Sequence, residues 1–272
     1  MTAIDQLLDV MAKLRDPETG CPWDVAQDFA TIAPYTIEEA YEVAEAIAEK
    51  DWPALEDELG DLLFQVVFYA QMAREDGLFD FESVAQGVAD KMVRRHPHVF
   101  GADDLNDGSS IENAEAQTHA WEAHKAKERA AKAEAEGRTA SVFDGVTSAL
   151  PALTRAAKLQ ARAARVGFDW PVTAAVIDKI DEELDELRAE FEAGGDQDRV
   201  TDEIGDLLFA CVNLARHHRI DPETALRQGN AKFERRFRRI EEMLSETGRT
   251  PAQSSLEEMD RLWDAVKAEE RR

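Results

Sequence analysis

Two stretches in the second half of the chain decide its fold: Lys179–Glu186, K-I-D-E-E-L-D-E, and Glu203–Asn213, E-I-G-D-L-L-F-A-C-V-N. On an α-helix, residues three or four positions apart share a face. Glu182, Glu183 and Glu186 therefore lie within about a third of one helix circumference. The first stretch is predicted to be a helix with an acidic face.

The second stretch carries a matching acidic face. Glu203 and Asp206 are three residues apart, and Asn213 returns to nearly the same face seven residues later. If the two helices face each other, four or five carboxylates meet. At about 4 Å and an effective dielectric of about 20, a pair of like charges repels by about 4 kcal/mol. Such a cluster either takes up protons or holds divalent cations, and we interpret it as a metal site.

The ligand atoms of this cluster predict a hard cation. Carboxylate oxygens suit Mg²⁺, or Mn²⁺ as a substitute. A di-iron bundle uses Glu-x-x-His pairs, and no histidine follows Glu186 or Glu203 at that spacing. Acids also share helix faces by chance on a solvated surface. The apolar run that follows Asp206 argues against that alternative, because acids beside buried surface do not persist unpaired.

Composition restricts the classes of function. The chain has 272 residues, of which 44% are hydrophobic and 33% charged, and its formal net charge is −25. These values fit a helix-rich globular protein of one large or two small domains. The negative charge opposes nucleic-acid binding, which needs a basic surface. The longest apolar runs, near Leu62–Ala70 and Leu207–Ala215, are too short to span a membrane. We therefore expect a cytoplasmic protein with neither a nucleic-acid nor a membrane partner.

The acidic pattern occurs twice along the chain. The first set precedes its counterparts by 144 or 145 residues and consists of Glu38, Glu39, Glu42, Glu58 and Asp61. A duplicated helical unit explains this better than chance. No segment alternates apolar and polar residues over enough length to form a sheet. We predict an all-α fold of two tandem domains, residues 1–122 and 141–272, joined by an exposed, charged helical linker at 123–140.

Local signals predict the helices of the first copy. Apolar residues at helical spacing predict a helix over residues 3–15. Pro and Gly in Asp16–Asp24 predict a loop, with its tryptophan as a plug. Thr36, followed three residues later by Glu39, predicts the N-cap of a helix that runs to about Lys50.

Basic and aromatic residues of the second copy admit two interpretations each. Lys179 and Arg199 stand four residues before glutamates of the set, which is the spacing of an ordinary helix salt bridge. Lys232 and Arg236 share a helix face, which is also the pattern of an ordinary solvent-exposed basic face. A metal-bearing acidic cluster rimmed by such cations is also what a polyphosphate needs. Trp263 offers either a ring for stacking on a base or ordinary core packing.

At these residues the chain resembles the MazG-type nucleoside triphosphate pyrophosphohydrolases. Their E-E-x-x-E and E-x-x-D motifs correspond to Glu182–Glu186 and Glu203–Asp206. The likeness covers nearly the whole chain, through C-P-W-D, I-A-P-Y-T-I-E-E and R-R-H-P-H-V-F. It implies a homodimer of tandem helical domains with sites of four-helix-bundle type. It also implies Mg²⁺-dependent hydrolysis of nucleoside triphosphates to monophosphate and pyrophosphate, as in nucleotide-pool housecleaning.

The resemblance assigns roles to individual residues of the second copy. The implied metal ligands are Glu183, Glu186, Glu203 and Asp206. The implied nucleotide contacts, some of them from a partner subunit, are Lys179, Arg199, Lys232, Arg236 and Trp263.

The two copies are not equivalent. The second copy has Lys179, Arg199 and Asn213, and the corresponding residues of the first are Tyr35, Ala54 and Phe68. We therefore predict that Asn213 contributes to nucleotide binding and that catalysis resides mainly in the second copy. The first copy keeps a second metal set, which either binds weakly or serves as a dimer scaffold: Glu39, Glu42, Glu58 and Asp61.

The predicted reaction is attack of water on the α-phosphorus, with pyrophosphate as the leaving group. Glu182 is the candidate that orients or deprotonates this water, and the nearby cations neutralise the leaving pyrophosphate. A regulatory protein that senses nucleotide without turning it over is the alternative, and a purely structural helical dimer is a third hypothesis.

Overall fold

The computed structural model describes residues 1–100 and 114–271, and every regular element within these ranges is helical. The all-α class is thereby confirmed. Contacts divide the chain into two units, Met1–His124 and Lys125–Arg272. The exact bounds predicted for the two domains and the linker stay a prediction, and residues 101–113 of the first domain lie outside the described residues.

The first unit contains a short amphipathic helix followed by a long helical hairpin. Its helices are α1 Ala3–Leu14, α2 Pro22–Ala26, α3 Phe29–Glu49, α4 Trp52–Glu75, α5 Phe81–Arg95 and α6 Pro97–Phe100. Helix α3 packs along α4, and α1 packs on α4. The α3–α4 connection is two residues long, with Lys50 in the left-handed region at φ 60°, so the two helices run antiparallel. The core lies between α1, α3 and α4, at Met11, Ile32, Val67, Phe68 and Met72.

The second unit repeats this hairpin. Its helices are α7 Ala114–Ala135, whose beginning belongs to the first unit, α8 Ala152–Ala164, α9 Thr173–Glu192, α10 Gln197–His217, α11 Pro222–Ser245 and α12 Leu256–Glu269. Helix α9 packs along α10, while α8 packs on α10 and α11 packs on α12. The α9–α10 turn uses Gly194 at φ +67°, a conformation that costs glycine little. Asp196 then caps α10 by accepting from the Asp198 amide at 2.7 Å.

The structure corrects two local predictions. Thr36 lies inside α3, which begins at Phe29 because the Asp28 carboxylate accepts from the Ala30 and Thr31 amides, each at 2.8 Å. The N-cap at Asp28 satisfies the free amides of the first turn, so the helix starts about two turns before the predicted start. The tryptophan of the Asp16–Asp24 loop is not a plug, since Trp23 is 51% exposed and lies on the short helix α2.

The predicted helix over residues 3–15 is confirmed as α1. A capping box starts it, in which the Thr2 amide donates to Asp5 at 2.7 Å and the Asp5 amide donates to Thr2 at 3.2 Å. None of the helices in the described part of the chain combines the length and the hydrophobicity needed to cross a bilayer.

Candidate active site

The α9–α10 hairpin brings three predicted ligands together. Glu183 on α9 and Glu203 and Asp206 on α10 offer carboxylate oxygens that all lie within 4.8 Å of one another. Glu203 and Asp206 share a face of α10 because they are three residues apart. Their proximity to Glu183 follows from the antiparallel packing of the two helices.

Glu183 is the innermost member of this cluster, with 4% of its surface exposed. Its Oε1 lies 2.7 Å from the Lys179 ammonium. Its Oε2 is buried and has no hydrogen-bond partner among the described residues. A buried carboxylate oxygen without a partner is costly. A cation bound among the three carboxylates would satisfy it, and all the donors on offer are oxygens, as Mg²⁺ or Mn²⁺ requires. The residues present therefore fit the ion.

The cluster is also electrostatically strained. Burial raises the pKa of Glu203 above its ordinary value, and the negative charges of Glu186, Glu183 and Asp206 raise it further. Glu186 is exposed and does not belong to the closest set of three. Its negative charge nonetheless contributes to the raised pKa of Glu203.

Lys179 neutralises part of the cluster from the edge. Its ammonium lies 2.7 Å from Glu183 and 2.9 Å from Glu182. These hydrogen bonds, that to Glu183 first, raise the pKa of Lys179 above its ordinary value. The expected helix salt bridge is therefore present. Glu182 itself is largely exposed and lies on the solvent side of this pair, outside the set of three.

Two other predicted contacts of the hairpin have partners away from the cluster. Arg199 is paired with Glu190 at 3.4 Å rather than with Glu203. Asn213 is buried, and its Oδ1 accepts from Arg216 Nε at 2.9 Å and from Nη2 at 2.7 Å. In this conformation neither side chain touches the acids.

The remaining predicted nucleotide contacts lie together on α11 and α12. Arg236 lies 5.4 Å above the Trp263 ring and donates to the Glu270 carboxylate at 2.8 Å. Trp263 also packs against Phe233 at 5.4 Å and against the apolar core between the two helices. Lys232 is exposed and pairs with no residue in the described part of the chain. No hydrogen bond or ion pair of the described residues connects this group to the acid cluster.

The profile of the MazG nucleotide pyrophosphohydrolase domain matches residues 27–100 and again residues 173–240. The chain belongs to the MazG family. Both matched segments contain an acidic hairpin, α3–α4 in the first and α9–α10 in the second, and the resemblance inferred from the motifs is confirmed.

Two curated relatives align along nearly the whole chain. A protein of Escherichia coli (strain K12) named nucleoside triphosphate pyrophosphohydrolase is 52% identical over 271 residues, covering 99% of each chain. A protein of Thermotoga maritima named nucleoside triphosphate pyrophosphohydrolase/pyrophosphatase MazG is 41% identical over 263 residues, covering 97% of this chain and 95% of the relative. The alignment therefore includes both MazG segments and the residues between them.

The first MazG segment carries its own acid cluster. Oxygens of Glu39, Glu58 and Asp61 also lie within 4.8 Å of one another. Burial raises the pKa of Glu39, with further contributions from Asp61 and Glu42, and burial raises the pKa of Glu58 in the same direction. Glu42 acts on Glu39 through its charge and a side-chain hydrogen bond and, like its counterpart in the second segment, does not belong to the closest three. The aromatic residue Tyr35 stands where the second segment has its lysine.

Sequence reasoning missed the residues that support the second MazG site. Arg216 links Asn213 to Asp169, and Glu270 holds Arg236. A signal existed for Asp169, because P-W-D in the first copy has its counterpart in G-F-D-W-P. Its arginine partner lies 47 residues further along the chain, and no periodicity connects two positions so far apart.

Proposed function

We propose that this chain hydrolyses nucleoside triphosphates to nucleoside monophosphate and pyrophosphate, with Glu183, Glu203 and Asp206 as the centre of the site. The observation that carries the proposal is the buried Glu183 Oε2, which has no partner although two further carboxylates lie within 4.8 Å. The printed names of the two relatives state the same activity.

We infer that the cofactor is Mg²⁺, with Mn²⁺ as a substitute. The three central carboxylates would hold it, and Glu186 would approach from the solvent side. When bound, such an ion neutralises phosphate charge and lowers the pKa of a coordinated water.

The roles of the neighbouring residues follow from their positions. Lys179 lies at the edge of the cluster with about a third of its side chain exposed, so its ammonium can turn from Glu182 to a phosphate oxygen. Glu182 is then free to accept a proton from the water that attacks the α-phosphorus. Arg199 would reach the polyphosphate only after leaving Glu190, with which it is paired at 3.4 Å.

We further infer that the active form is a homodimer in the cytoplasm. Large apolar side chains of the α9–α10 hairpin are exposed within the unit: Ile177, Ile204, Leu208 and Phe209. Several exposed large apolar side chains on one hairpin favour an interface. A second copy that covers them would complete a four-helix arrangement around the acids. It would also bring a second set of Lys232, Arg236 and Trp263 into the assembly.

Product analysis with oxygen-labelled water tests the reaction. Incubation with a nucleoside triphosphate, Mg²⁺ and H₂¹⁸O should give pyrophosphate and a monophosphate that carries the ¹⁸O. Label in the pyrophosphate would refute attack on the α-phosphorus. Release of orthophosphate without pyrophosphate would refute the whole activity.

The first cluster supports a second, more limited function. It keeps three carboxylates within 4.8 Å but lacks the lysine and the amide of the second copy. This combination favours binding of a cation or nucleotide without turnover, as in a sensor. A chain with Glu203→Gln that still binds nucleotide but releases no pyrophosphate would support this role for the first copy. Complete loss of nucleotide binding would contradict it.

A further inference from the structure

A polar network at the C-terminal end of α10 surrounds one buried amide, that of Asn213. Arg216 donates to the Asn213 Oδ1 through Nε at 2.9 Å and through Nη2 at 2.7 Å. The same Nη2 donates to Asp169, and His217 Nε2 lies 3.2 Å from that carboxylate. Asn213 is 2% exposed. The network therefore ties the loop before α9 to the last turns of α10 through one guanidinium.

This network determines which atom of the Asn213 amide, the oxygen or the nitrogen, remains for a further hydrogen bond. A guanidinium has five donors and no acceptor. The amide atom that faces Arg216 must therefore be the oxygen, and the amide nitrogen with its two hydrogens lies on the other side. No residue in the described ranges accepts a hydrogen bond from that nitrogen. Asn213 consequently offers two donor hydrogens and no free acceptor.

Asn213 is therefore not a ligand of the cation. Its oxygen is already occupied by two hydrogen bonds from Arg216. It also stands seven residues after Asp206, which is about 10 Å along the helix axis, whereas Mg²⁺–oxygen distances are about 2 Å. A donor at this distance from the ion suits an acceptor atom elsewhere on a bound triphosphate.

The first copy lacks this arginine–amide pair but keeps the corresponding aspartate, which there lies on the short helix α2. Asp24 corresponds to Asp169, but Phe68 stands where the second copy has Asn213 and Gln71 where it has Arg216. A different arginine, Arg15, lies 5.3 Å above the Phe68 ring. The arginine and the amide are thus both absent from the copy that has also lost the lysine of the acid cluster.

We propose that Arg216, backed by Asp169, is a positioning residue that fixes Asn213 as a hydrogen-bond donor to an acceptor atom of the bound nucleoside triphosphate. The proposal rests on the proposed function, because it presupposes that the second copy binds this substrate. The acceptor is either a phosphate oxygen or a carbonyl oxygen or ring nitrogen of the base.

Three variants in the full-length chain separate this role from a structural one. In Asn213→Asp the carboxylate still accepts from Arg216, so the network is kept while the outward donor becomes an acceptor. In Arg216→Met the amide is no longer oriented. Arg216→Lys retains one donor to the amide and should recover part of the loss. Gln71→Met changes the corresponding position of the first copy and serves as the matched control.

We expect Asn213→Asp and Arg216→Met each to raise KM by about tenfold, the effect of losing one hydrogen bond, with a smaller effect on kcat. Arg216→Lys should fall between them and the wild type, and Gln71→Met should equal the wild type. Calorimetric affinity for an α,β-nonhydrolysable triphosphate should fall in parallel with KM. Mn²⁺ binding without nucleotide should stay unchanged in all four variants.

The outcomes distinguish the two proposals. A wild-type chain that releases no pyrophosphate refutes the proposed function, whatever the variants do. An active wild type with an unchanged KM in Asn213→Asp refutes the positioning role, and so does loss of Mn²⁺ binding in Arg216→Met. A KM effect of equal size for all four bases places the acceptor on the phosphates, and an effect confined to some bases places it on the base. Both of these results support the donor role.

Discussion

Replacing Glu183 with glutamine tests the assignment of the active copy most directly. Glu183 is the most buried of the three central carboxylates, and one of its oxygens has no partner in the described residues. Glutamine keeps the shape of the side chain and removes its charge. Glu39→Gln makes the same change at the corresponding position of the first copy and is the matched control.

The expected size of the effect follows from the number of ligands. Glu183 supplies one of three carboxylates within 4.8 Å, so its loss removes a direct ligand. Changing a residue that only orients a metal ligand already costs about 10- to 100-fold. We therefore expect kcat/KM to fall by at least about 100-fold in Glu183→Gln, which is about 2.7 kcal/mol of transition-state stabilisation. Glu39→Gln should change it by less than about twofold, because its cluster lacks the neighbouring lysine.

The assay is the initial rate of pyrophosphate release at saturating Mg²⁺, with helical circular dichroism to confirm that each variant is folded. Calorimetric titration with Mn²⁺ should show weaker binding in the second copy of Glu183→Gln. Equal losses of activity in the two variants would refute the reasoning that catalysis resides in the second copy. Full activity in Glu183→Gln would refute the metal site itself.

Three further perturbations have defined expectations. Asp169→Asn should destabilise the chain at neutral pH: the hydrogen bonds of Arg216 and His217 outweigh burial and lower the pKa of Asp169 below 3.8. The stabilisation that the ionised Asp169 contributes to folding is therefore fully present above pH 3.8, and it is lost as pH falls through the lowered pKa. Denaturation of wild type and variant between pH 2 and 7 checks this, and a difference independent of pH would contradict it. Arg15→Met should cost about 2 kcal/mol of unfolding free energy in urea, because it breaks a hydrogen-bonded ion pair with a partly exposed Glu75 at 2.7 Å; no measurable change would be contrary to this. Lys179→Met should tighten Mn²⁺ binding in the absence of nucleotide and weaken triphosphate binding, since one ammonium serves both acids and phosphate, and calorimetry that shows weaker Mn²⁺ binding would reject this competition.

Much of the site could be predicted from spacing alone. Glu203 and Asp206 share a face because helical geometry is local and repeats every 3.6 residues. The same argument placed Glu183 on the acidic face of its own helix. It did not exclude Glu186 from the innermost set, since both residues satisfy the spacing equally well. The packing of α9 against α10 decides that Glu183 is buried and Glu186 is exposed.

Hydrogen-bond and ion-pair partners that come from other segments of the chain could not be predicted from the sequence. The four-residue spacing suggested that Arg199 pairs with Glu203, but its guanidinium lies against Glu190 across the α9–α10 turn. Asn213 was predicted as a nucleotide contact without any indication of which amide atom is available. That depends on Arg216, whose own direction depends on Asp169 in a preceding loop.

The sequence by itself determined the all-α class, the duplication, the family and the two acidic faces, because each of these follows from local periodicity or from motifs. The tertiary structure decided which carboxylate is buried without a partner, where each cation is held, and how the Asn213 amide is oriented. The physical reason is that helical periodicity fixes the direction of a side chain around its own axis. The dielectric environment and the opposing charges come from other elements, whose positions only the packed chain defines.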